Sequence, residues 1–160
     1  MNRRAFLVSL ALAAGAGGLA LLNLKPSGAI PRLEIHLGHE KCNRCGMIIS
    51  RINYAAAFYI EGKGDWKKYD DIGCLIKDYT DTVGIATVVA VKVFDFDAEE
   101  ELEANRAYYI LASLKKLRTP MGYNILAFRE KNTAEQQAKD HESIVMEWSD
   151  ALQSVPGGGL

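Results

Sequence analysis

Short runs of β-branched and alternating residues recur along the chain and predict a protein rich in strands. The clearest run is "IATVVAVKVFDF", where β-branched side chains dominate. The runs "AAAFYI" and "WKKY" flank the glycine-containing turn "EGKGD", which predicts a β-hairpin. The predicted strands are residues 33–37, 55–60, 66–69, 85–96, 106–113, 124–128 and 144–148.

Helical spacing of apolar residues marks the segments between these strands. In residues 70–81, Ile72, Leu75, Ile76 and Tyr79 form one apolar stripe, and Asp70 or Asp71 is placed to cap the N-terminus. The remaining helical predictions are residues 133–143, an acidic helical turn at 97–105, and a short closing helix that begins in "SDAL".

A weak internal repeat suggests how these elements are arranged. In each half, a loop with Met beside Gly precedes a strand with Ala and Phe, so that "CGM…AAAFY" corresponds to "PMGYNILAF". A helix and another strand follow. The predicted fold class is therefore α+β, with two ββαβ-like halves and a mostly antiparallel sheet on which the helices pack.

Composition fits a globular domain with a substantial core. The chain has 160 residues, of which 49% are hydrophobic and 24% charged. Its formal net charge of −1 gives no reason to expect a nucleic-acid partner.

The first 29 residues are expected to lie outside the folded domain. Arg3 and Arg4 precede the uncharged apolar run 5–22, and small residues follow, which is the order of an export signal. The stretch "RRAFL" is similar to a twin-arginine signal, with cleavage after Ala29 or retention as a membrane anchor both open. We therefore expect a periplasmic protein, or one on the outer face of the cytoplasmic membrane.

This division sets the domain boundaries: signal or anchor 1–29, metal-binding domain 30–155, and flexible tail 156–160. Residues 1–29 hold three of the 19 basic residues and none of the 20 acidic ones, so the remainder carries a net charge of −4. The folded part is expected to be mildly acidic.

Three cysteines, Cys42, Cys45 and Cys74, carry the candidate chemistry. An odd number of cysteines in an exported protein leaves at least one thiol unpaired. A fold stabilised by disulfides would be expected to have four or six cysteines. The Cys-x-x-Cys spacing suits a disulfide or a shared metal equally. The residues around the pair must therefore decide its role.

Three interpretations of this pair remain open. A thiol oxidoreductase would use Cys42 and Cys45, although Gly46 directly after the pair is unlike the start of a redox helix. Structural zinc would use a set of three cysteines and His39. Copper(I) prefers soft donors, and Met47 supplies a thioether beside the two thiols, unless it only opens the apolar run "MII". We favour copper.

Two more residues are candidates from elsewhere in the chain. At about 100° per residue, Cys74 lies roughly 160° from Ile72 on its helix, so it should face solvent or a second layer rather than the core. It also falls in the first helical turn, where the helix dipole stabilises a thiolate. Met121, in the loop "TPMGY", is placed to bring a second thioether.

The segments "CNRCGM" (42–47), "YDDIGCLIKDY" (69–79) and "TPMGYNILAF" (119–128) together resemble the NosL family, copper-binding accessory proteins of nitrous oxide reductase. The resemblance spans about residues 33–150. It implies two ββαβ-type halves and one Cu(I) that is handed on, with Cys45 and Met47 carried over first, then Cys42 and Met121. Many members are lipoproteins, but "LLNLKPSGA" has no cysteine for a lipid.

The sequence therefore predicts a Cu(I) metallochaperone, not an enzyme. Its expected partner is a recipient cuproenzyme or the maturation machinery of that enzyme, by resemblance nitrous oxide reductase. Membrane association through residues 5–22 is a further expectation. The candidate metal ligands are Cys42, Cys45, Met47, Met121, Cys74 and His39. The alternatives are a thiol-disulfide oxidoreductase and a structural zinc domain.

Overall fold

The computed structural model describes residues 29–156, which form an α+β fold of antiparallel strands and covering helices. This confirms the predicted fold class. The strands are β1 (Ala56–Ile60), β2 (Trp66–Tyr69), β3 (Val88–Phe94), β4 (Glu101–Glu103), β5 (Tyr108–Leu111) and β6 (Ile125–Phe128). The helices are α1 (Ile72–Val83), α2 (Lys131–Asp140) and α3 (Trp148–Ser154), with 3-10 turns at Ile52–Tyr54 and Ala104–Arg106.

The larger sheet has the order β2-β1-β3-β4, and every neighbouring pair in it is antiparallel. Its strand β1 is buried along its whole length because both faces are covered. Ala56, Phe58 and Ile60 face α1, whereas Ala57 and Tyr59 face a cluster built by the N-terminal segment. This alternation is the period of two expected for a central strand.

The smaller sheet pairs β5 with β6, and α2 packs on it through Ala134 and Ala138. A parallel bridge between Asp95 and Ala127 joins it to the larger sheet. An isolated antiparallel bridge pairs Tyr109 with Met146, so that one residue on the other side of β5 takes the place of a third strand. The smaller sheet is thus joined to the larger one just beyond the end of β3.

The topology supports a repeat, but with a different alignment from the one predicted. β1 pairs with β2, α1 follows, and β3 returns to β1; β5 pairs with β6, α2 follows, and Met146 returns to β5. By this order β6 corresponds to β2, whereas the sequence comparison matched it to β1. In the second half the third strand, which corresponds to β3, is reduced to the single bridge at Met146.

The predicted strand at 33–37 is wrong. Leu33 is buried and Ile35 half-buried against the outer face of the larger sheet, with Trp66 Nε1 donating a hydrogen bond to the Pro31 carbonyl at 2.8 Å. The alternation therefore reflects packing of an extended segment on a sheet face. It does not reflect pairing within a ladder.

The predicted acidic helical turn at 97–105 is also wrong. The Asp95 carboxylate accepts hydrogen bonds from the backbone N–H groups of Asp97 and Ala98, which closes a tight turn. The chain then pairs with β3, where Lys92 Nζ lies 2.7 Å from both Glu101 and Glu103. A single lysine thus holds the acidic side chains on an edge strand.

The predicted boundaries near the C-terminus need correction too. α2 begins at Lys131 and ends at Asp140, earlier than the predicted 133–143. The strand predicted at 144–148 is only the bridge at Met146, because α3 already begins at Trp148 with a capping box formed by Glu147 and Asp150.

The predicted export signal and the tail beyond Pro156 lie outside the described residues. Within residues 29–156, no helix combines the length and apolar character needed to cross a membrane.

Candidate metal site

The site begins with a tightly closed loop that carries the first two cysteines. A bridge pairs Lys41 with Ile48, and the Cys42 N–H donates to the Met47 carbonyl at 2.8 Å. The Gly46 N–H donates a hydrogen bond to the Cys42 carbonyl at 3.0 Å, and the backbone of Gly46 has φ +76. This left-handed conformation favours glycine, so Gly46 lets the loop close directly after Cys45.

The cysteine loop is fixed to the edge strand β2. The Asn43 N–H donates to the Lys68 carbonyl at 2.8 Å, and the Lys68 N–H donates to Asn43 Oδ1 at 2.7 Å. Lys68 Nζ also lies 2.6 Å from Glu40. These contacts hold the two cysteines beside the end of β2, where the chain turns through Asp70 and Asp71 into α1.

The first turn of α1 brings the third cysteine to the same place. Asp71 caps the helix, and its Oδ1 accepts the Gly73 N–H at 2.8 Å. Residues 72–76 are all buried, so the helix has no exposed side at its N-terminus. For this reason Cys74 is only 1% exposed and belongs to the core cluster. Of the two predicted positions, the one facing solvent is wrong, and the predicted exclusion from the core is wrong with it. It faces the cysteine loop as a second layer.

Four side chains converge at this junction: Cys42, Cys45, Cys74 and Asp70. Their sulfur atoms and one carboxylate oxygen all lie within 4.8 Å of one another. All three cysteines are free thiols. Such a group of donors is close enough to share one metal ion.

The Asp70 carboxylate is buried in an unusual way for a charged group. Asp70 is 2% exposed, and its Oδ1 accepts a hydrogen bond from Cys45 Sγ at 3.3 Å. Its Oδ2 is buried and has no hydrogen-bond partner among residues 29–156. An unsatisfied buried oxygen costs about 1–3 kcal/mol unless another group or ion contacts it.

Close contact between the donors separates their pKa values. A hydrogen bond from the Cys74 thiol lowers the pKa of Cys42 to about 4, with backbone N–H groups adding to the effect. The same hydrogen bond, with burial, raises the pKa of Cys74. Burial and the neighbouring Cys42 raise the pKa of Cys45 to about 11.

Burial, followed by the neighbouring Cys42, raises the pKa of Asp70 to about 6. In the group without metal, these pKa shifts favour a thiolate on Cys42, which accepts a hydrogen bond from the Cys74 thiol. A metal that binds all three sulfurs must displace the protons of Cys45 and Cys74.

A loop from the second half of the chain closes against this junction. Asp71 Oδ2 accepts hydrogen bonds from the Thr119 hydroxyl at 2.6 Å and from the Met121 N–H at 3.0 Å. Asn124, at φ 57, holds the loop from inside through its side-chain bonds to Thr119 N–H and to two backbone carbonyls. One buried carboxylate therefore joins the cap of α1 to the loop that carries Met121.

A close contact between the Tyr123 ring and Gly73 also holds this junction together. The Tyr123 side chain lies over Gly73, so that a Cβ at Gly73 would lie 2.1 Å from a Tyr123 ring carbon. Only glycine allows this approach. The ring and the Asp71 hydrogen bonds together fix the loop on the first turn of α1.

The predicted ligands divide into a buried and an exposed group. Cys42 and Cys74 are buried and Cys45 is half-buried, whereas Met47 is 46% exposed, Met121 is 40% exposed and His39 is exposed. Asp70 was considered only as a helix cap in the sequence and was missed as a donor. Asp70 lies in the sequence between β2 and the helix that carries Cys74, and this position could have identified it as a candidate donor.

The arrangement defines a class of protein: an α+β domain with a thiol-rich candidate metal site at a strand–helix junction. The family model named NosL matches residues 34–155, and the chain belongs to the NosL family.

A similar solved structure is the crystal structure of the copper chaperone NosL from Shewanella denitrificans. It has a TM-score of 0.62 and 18% sequence identity, and the match covers 74% of this chain and 94% of that one. At this identity it shows a shared fold. A search of curated proteins found no match.

Proposed function

We propose that this protein is an extracytoplasmic Cu(I)-binding metallochaperone that delivers copper to a cuproenzyme. The observation that carries the proposal is the convergence of Cys42, Cys45 and Cys74 in one group. Thiolates are soft donors that select Cu(I) over hard cations. Membership of the NosL family, and the name of the similar solved protein as a copper chaperone, support the same function.

The burial pattern suits an ion that is held and then passed on. Cys42 and Cys74 lie inside, whereas Cys45 is half-buried and open to an incoming donor. Cu(I) accepts a low coordination number, so an incoming thiolate or imidazole can bind before a cysteine leaves. Copper transfer then proceeds by ligand exchange without a free ion.

The thioethers of Met47 and Met121 are proposed to act as the outer ligands in this exchange. Both side chains are exposed, and the Met121 loop is fixed to the helix that carries Cys74 through Asp71. Neutral thioethers bind Cu(I) without adding charge to a buried group that already holds several acidic side chains. His39, also exposed, remains a less favoured outer ligand.

The recipient is proposed to be nitrous oxide reductase or its maturation machinery, on the strength of the family resemblance. Delivery outside the cytoplasm is proposed from the twin-arginine-like sequence "RRAFL" and the apolar run 5–22.

An anaerobic competition titration tests the copper function. The reduced full chain is titrated with Cu(I) against a colorimetric chelator of high affinity. We expect one Cu(I) to be withdrawn from the chelator by the native chain and not by Cys45→Ser. The matched control is Met146→Leu, because Met146 is a buried sulfur residue in the core that is not proposed as a ligand.

Unchanged Cu(I) affinity in Cys45→Ser would contradict the proposal. A native chain that binds no Cu(I) but forms a reversible disulfide between Cys42 and Cys45 would instead support the thiol oxidoreductase alternative.

A further inference from the structure

Two loops border the site on the side of the half-buried Cys45. One is the cysteine loop, residues 41–48, and the other is residues 113–123, which we call the Met121 loop. The Tyr123 hydroxyl of the Met121 loop lies within electrostatic reach of Cys45. A partner that takes an ion from this cysteine therefore approaches across the two loops.

Both loops carry positive charge only, although the folded part as a whole is acidic. The cysteine loop contains Lys41 and Arg44, the Met121 loop contains Lys115, Lys116 and Arg118, and neither loop contains an acidic residue. All five of these residues are exposed. The loops thus hold five of the 16 basic residues that follow residue 29 and none of the 20 acidic ones. A basic border of this kind attracts an acidic surface and repels a basic one.

Most of these charges are available to a partner. Within the described residues, Arg44 alone among the five forms an ion pair, with Asp81 at 3.0 Å. The Lys116 ammonium donates a hydrogen bond to a backbone carbonyl, which does not cancel its charge. The border therefore keeps most of its positive charge, and an acidic partner can compensate it.

Exposed apolar side chains lie on the same two loops. Met47 and Ile48 on the cysteine loop are 46% and 52% exposed, and Leu114 and Met121 on the Met121 loop are 67% and 40% exposed. These are four of the ten large hydrophobic side chains that are exposed within the described residues, although the two loops are short. Interfaces between proteins combine apolar contacts with complementary charge, so both features indicate a docking surface.

We propose that the cysteine loop and the Met121 loop form the docking surface for the copper recipient, and that the recipient surrounds its acceptor ligands with acidic side chains. The inference rests on the proposed copper transfer and adds the kind of surface that receives the ion. A second copy of this chain is disfavoured at this face, because two identical basic surfaces would oppose each other. A protein is favoured over a lipid surface, because it also supplies the thiolate or imidazole that takes the copper.

The rate of copper transfer tests this docking surface separately from copper binding, because charge attraction accelerates encounter more than it strengthens binding. The Cu(I)-loaded full-length chain is mixed, without oxygen, with two synthetic acceptor peptides. Both peptides carry a Cys-x-x-Cys pair, which glutamates flank in one peptide and lysines in the other. At low ionic strength we expect transfer to the acidic peptide to be about tenfold faster. Salt at about 0.5 M should remove this advantage.

A charge-reversed variant gives the sharper comparison. The double variant Lys115→Glu and Arg118→Glu should lose the preference for the acidic peptide and keep the Cu(I) affinity of the native chain. The control makes the same charge change elsewhere, with Lys63→Glu in the turn between β1 and β2 and Lys131→Glu at the start of α2. This control should retain the preference.

Two outcomes of the transfer experiment would overturn this inference and leave the copper function standing. One is equal transfer to both peptides by a native chain that holds Cu(I) tightly. The other is an equal loss of preference in the double variant and in its control. A native chain that does not bind Cu(I) tightly would instead contradict the proposed function itself.

Amide NMR shifts of the metal-free chain test the same surface without copper or any variant. The chain is titrated with the acidic peptide, in which serines replace the cysteines, and we expect the shifts to concentrate in residues 41–48 and 113–123. Shifts elsewhere in the chain would overturn the inference. Shifts of these loops with the concentration of the chain alone would assign the surface to a second copy. Shifts with anionic phospholipid vesicles but not with the peptide would assign it to a membrane, and either result would overturn the acidic protein partner.

Discussion

The two halves of the molecule make the same turn from a strand into a helix, but only one of them builds a site there. Both strands end on a fully buried aromatic residue, Tyr69 in β2 and Phe128 in β6. After Tyr69 the chain enters the core, where Asp70, Asp71 and the first turn of α1 are all buried. After Phe128, Arg129 and Glu130 are exposed.

The difference lies in what the polar side chains contact. Asp71 caps α1 and also binds the loop of Thr119 and Met121, whereas Glu130 makes no side-chain capping bond at the start of α2 within the described structure. Arg129 pairs with Glu100 in solvent at 2.7 Å. The same topology thus has a purely structural role in one half, whereas in the other half it holds three thiols close together.

The largest predicted effect is on the contact between Gly73 and Tyr123. In Gly73→Ala the new Cβ would lie 2.1 Å from the Tyr123 ring, which must leave its place. We expect a loss of about 3 kcal/mol in the free energy of unfolding, the upper range for an overpacked site. Urea denaturation of the metal-free chain measures it.

The matched control for this change is Gly84→Ala at the other end of α1. A Cβ at Gly84 meets nothing within 4 Å, and Gly84 has an ordinary helical conformation. The free energy of unfolding of the Gly84→Ala variant should therefore stay the same or rise slightly. If both substitutions destabilised the protein equally, the loss in Gly73→Ala could not be attributed to the contact between Gly73 and Tyr123.

A smaller effect is expected for the two helix caps. Asp71→Ala removes the cap of α1 and leaves the Thr119 hydroxyl and the Met121 N–H without their acceptor, so we expect a loss of about 2 kcal/mol. Glu130→Ala at the corresponding cap of α2 should change stability by less than about 0.5 kcal/mol. Thermal and urea unfolding of the two variants side by side measures the contrast. Similar losses would remove the special role assigned to Asp71.

The smallest predicted effect concerns the outer thioether. Met121→Leu keeps the size and apolar character of the side chain but removes the sulfur, and we expect Cu(I) affinity to fall about tenfold, or about 1.4 kcal/mol. Competition titration against the same chelator gives the value. Met146→Leu, in the core of the second half, should leave Cu(I) affinity unchanged, and a fall in both variants would point to altered folding rather than a lost ligand.

Local patterns predicted the parts of the fold that local interactions decide. The hairpin of β1 and β2 and the start of α1 at Asp71 followed from a glycine-containing turn and a helix cap. The segments 33–37 and 97–105 were predicted wrongly, because a sheet face and the Asp95 carboxylate determine their conformation. Their side-chain patterns alone do not contain these partners.

The residues of the site likewise divide into those that the local sequence predicts and those that only the tertiary fold brings in. Cys42 and Cys45 are neighbours in the sequence, and their shared role is visible there. Cys74 joins them only after β2 carries the chain beside the cysteine loop. Asp70 was recognised as a capping candidate, but its burial among three sulfurs depends on the whole core cluster.

X-ray absorption at the copper edge of the Cu(I)-loaded native chain tests the central claim most directly. The account predicts a first shell made of sulfur alone, at distances typical of two or three thiolates and a thioether, with no oxygen from Asp70. A shell dominated by nitrogen or oxygen would place copper elsewhere and contradict the assignment of the β2–α1 junction as the copper-holding site.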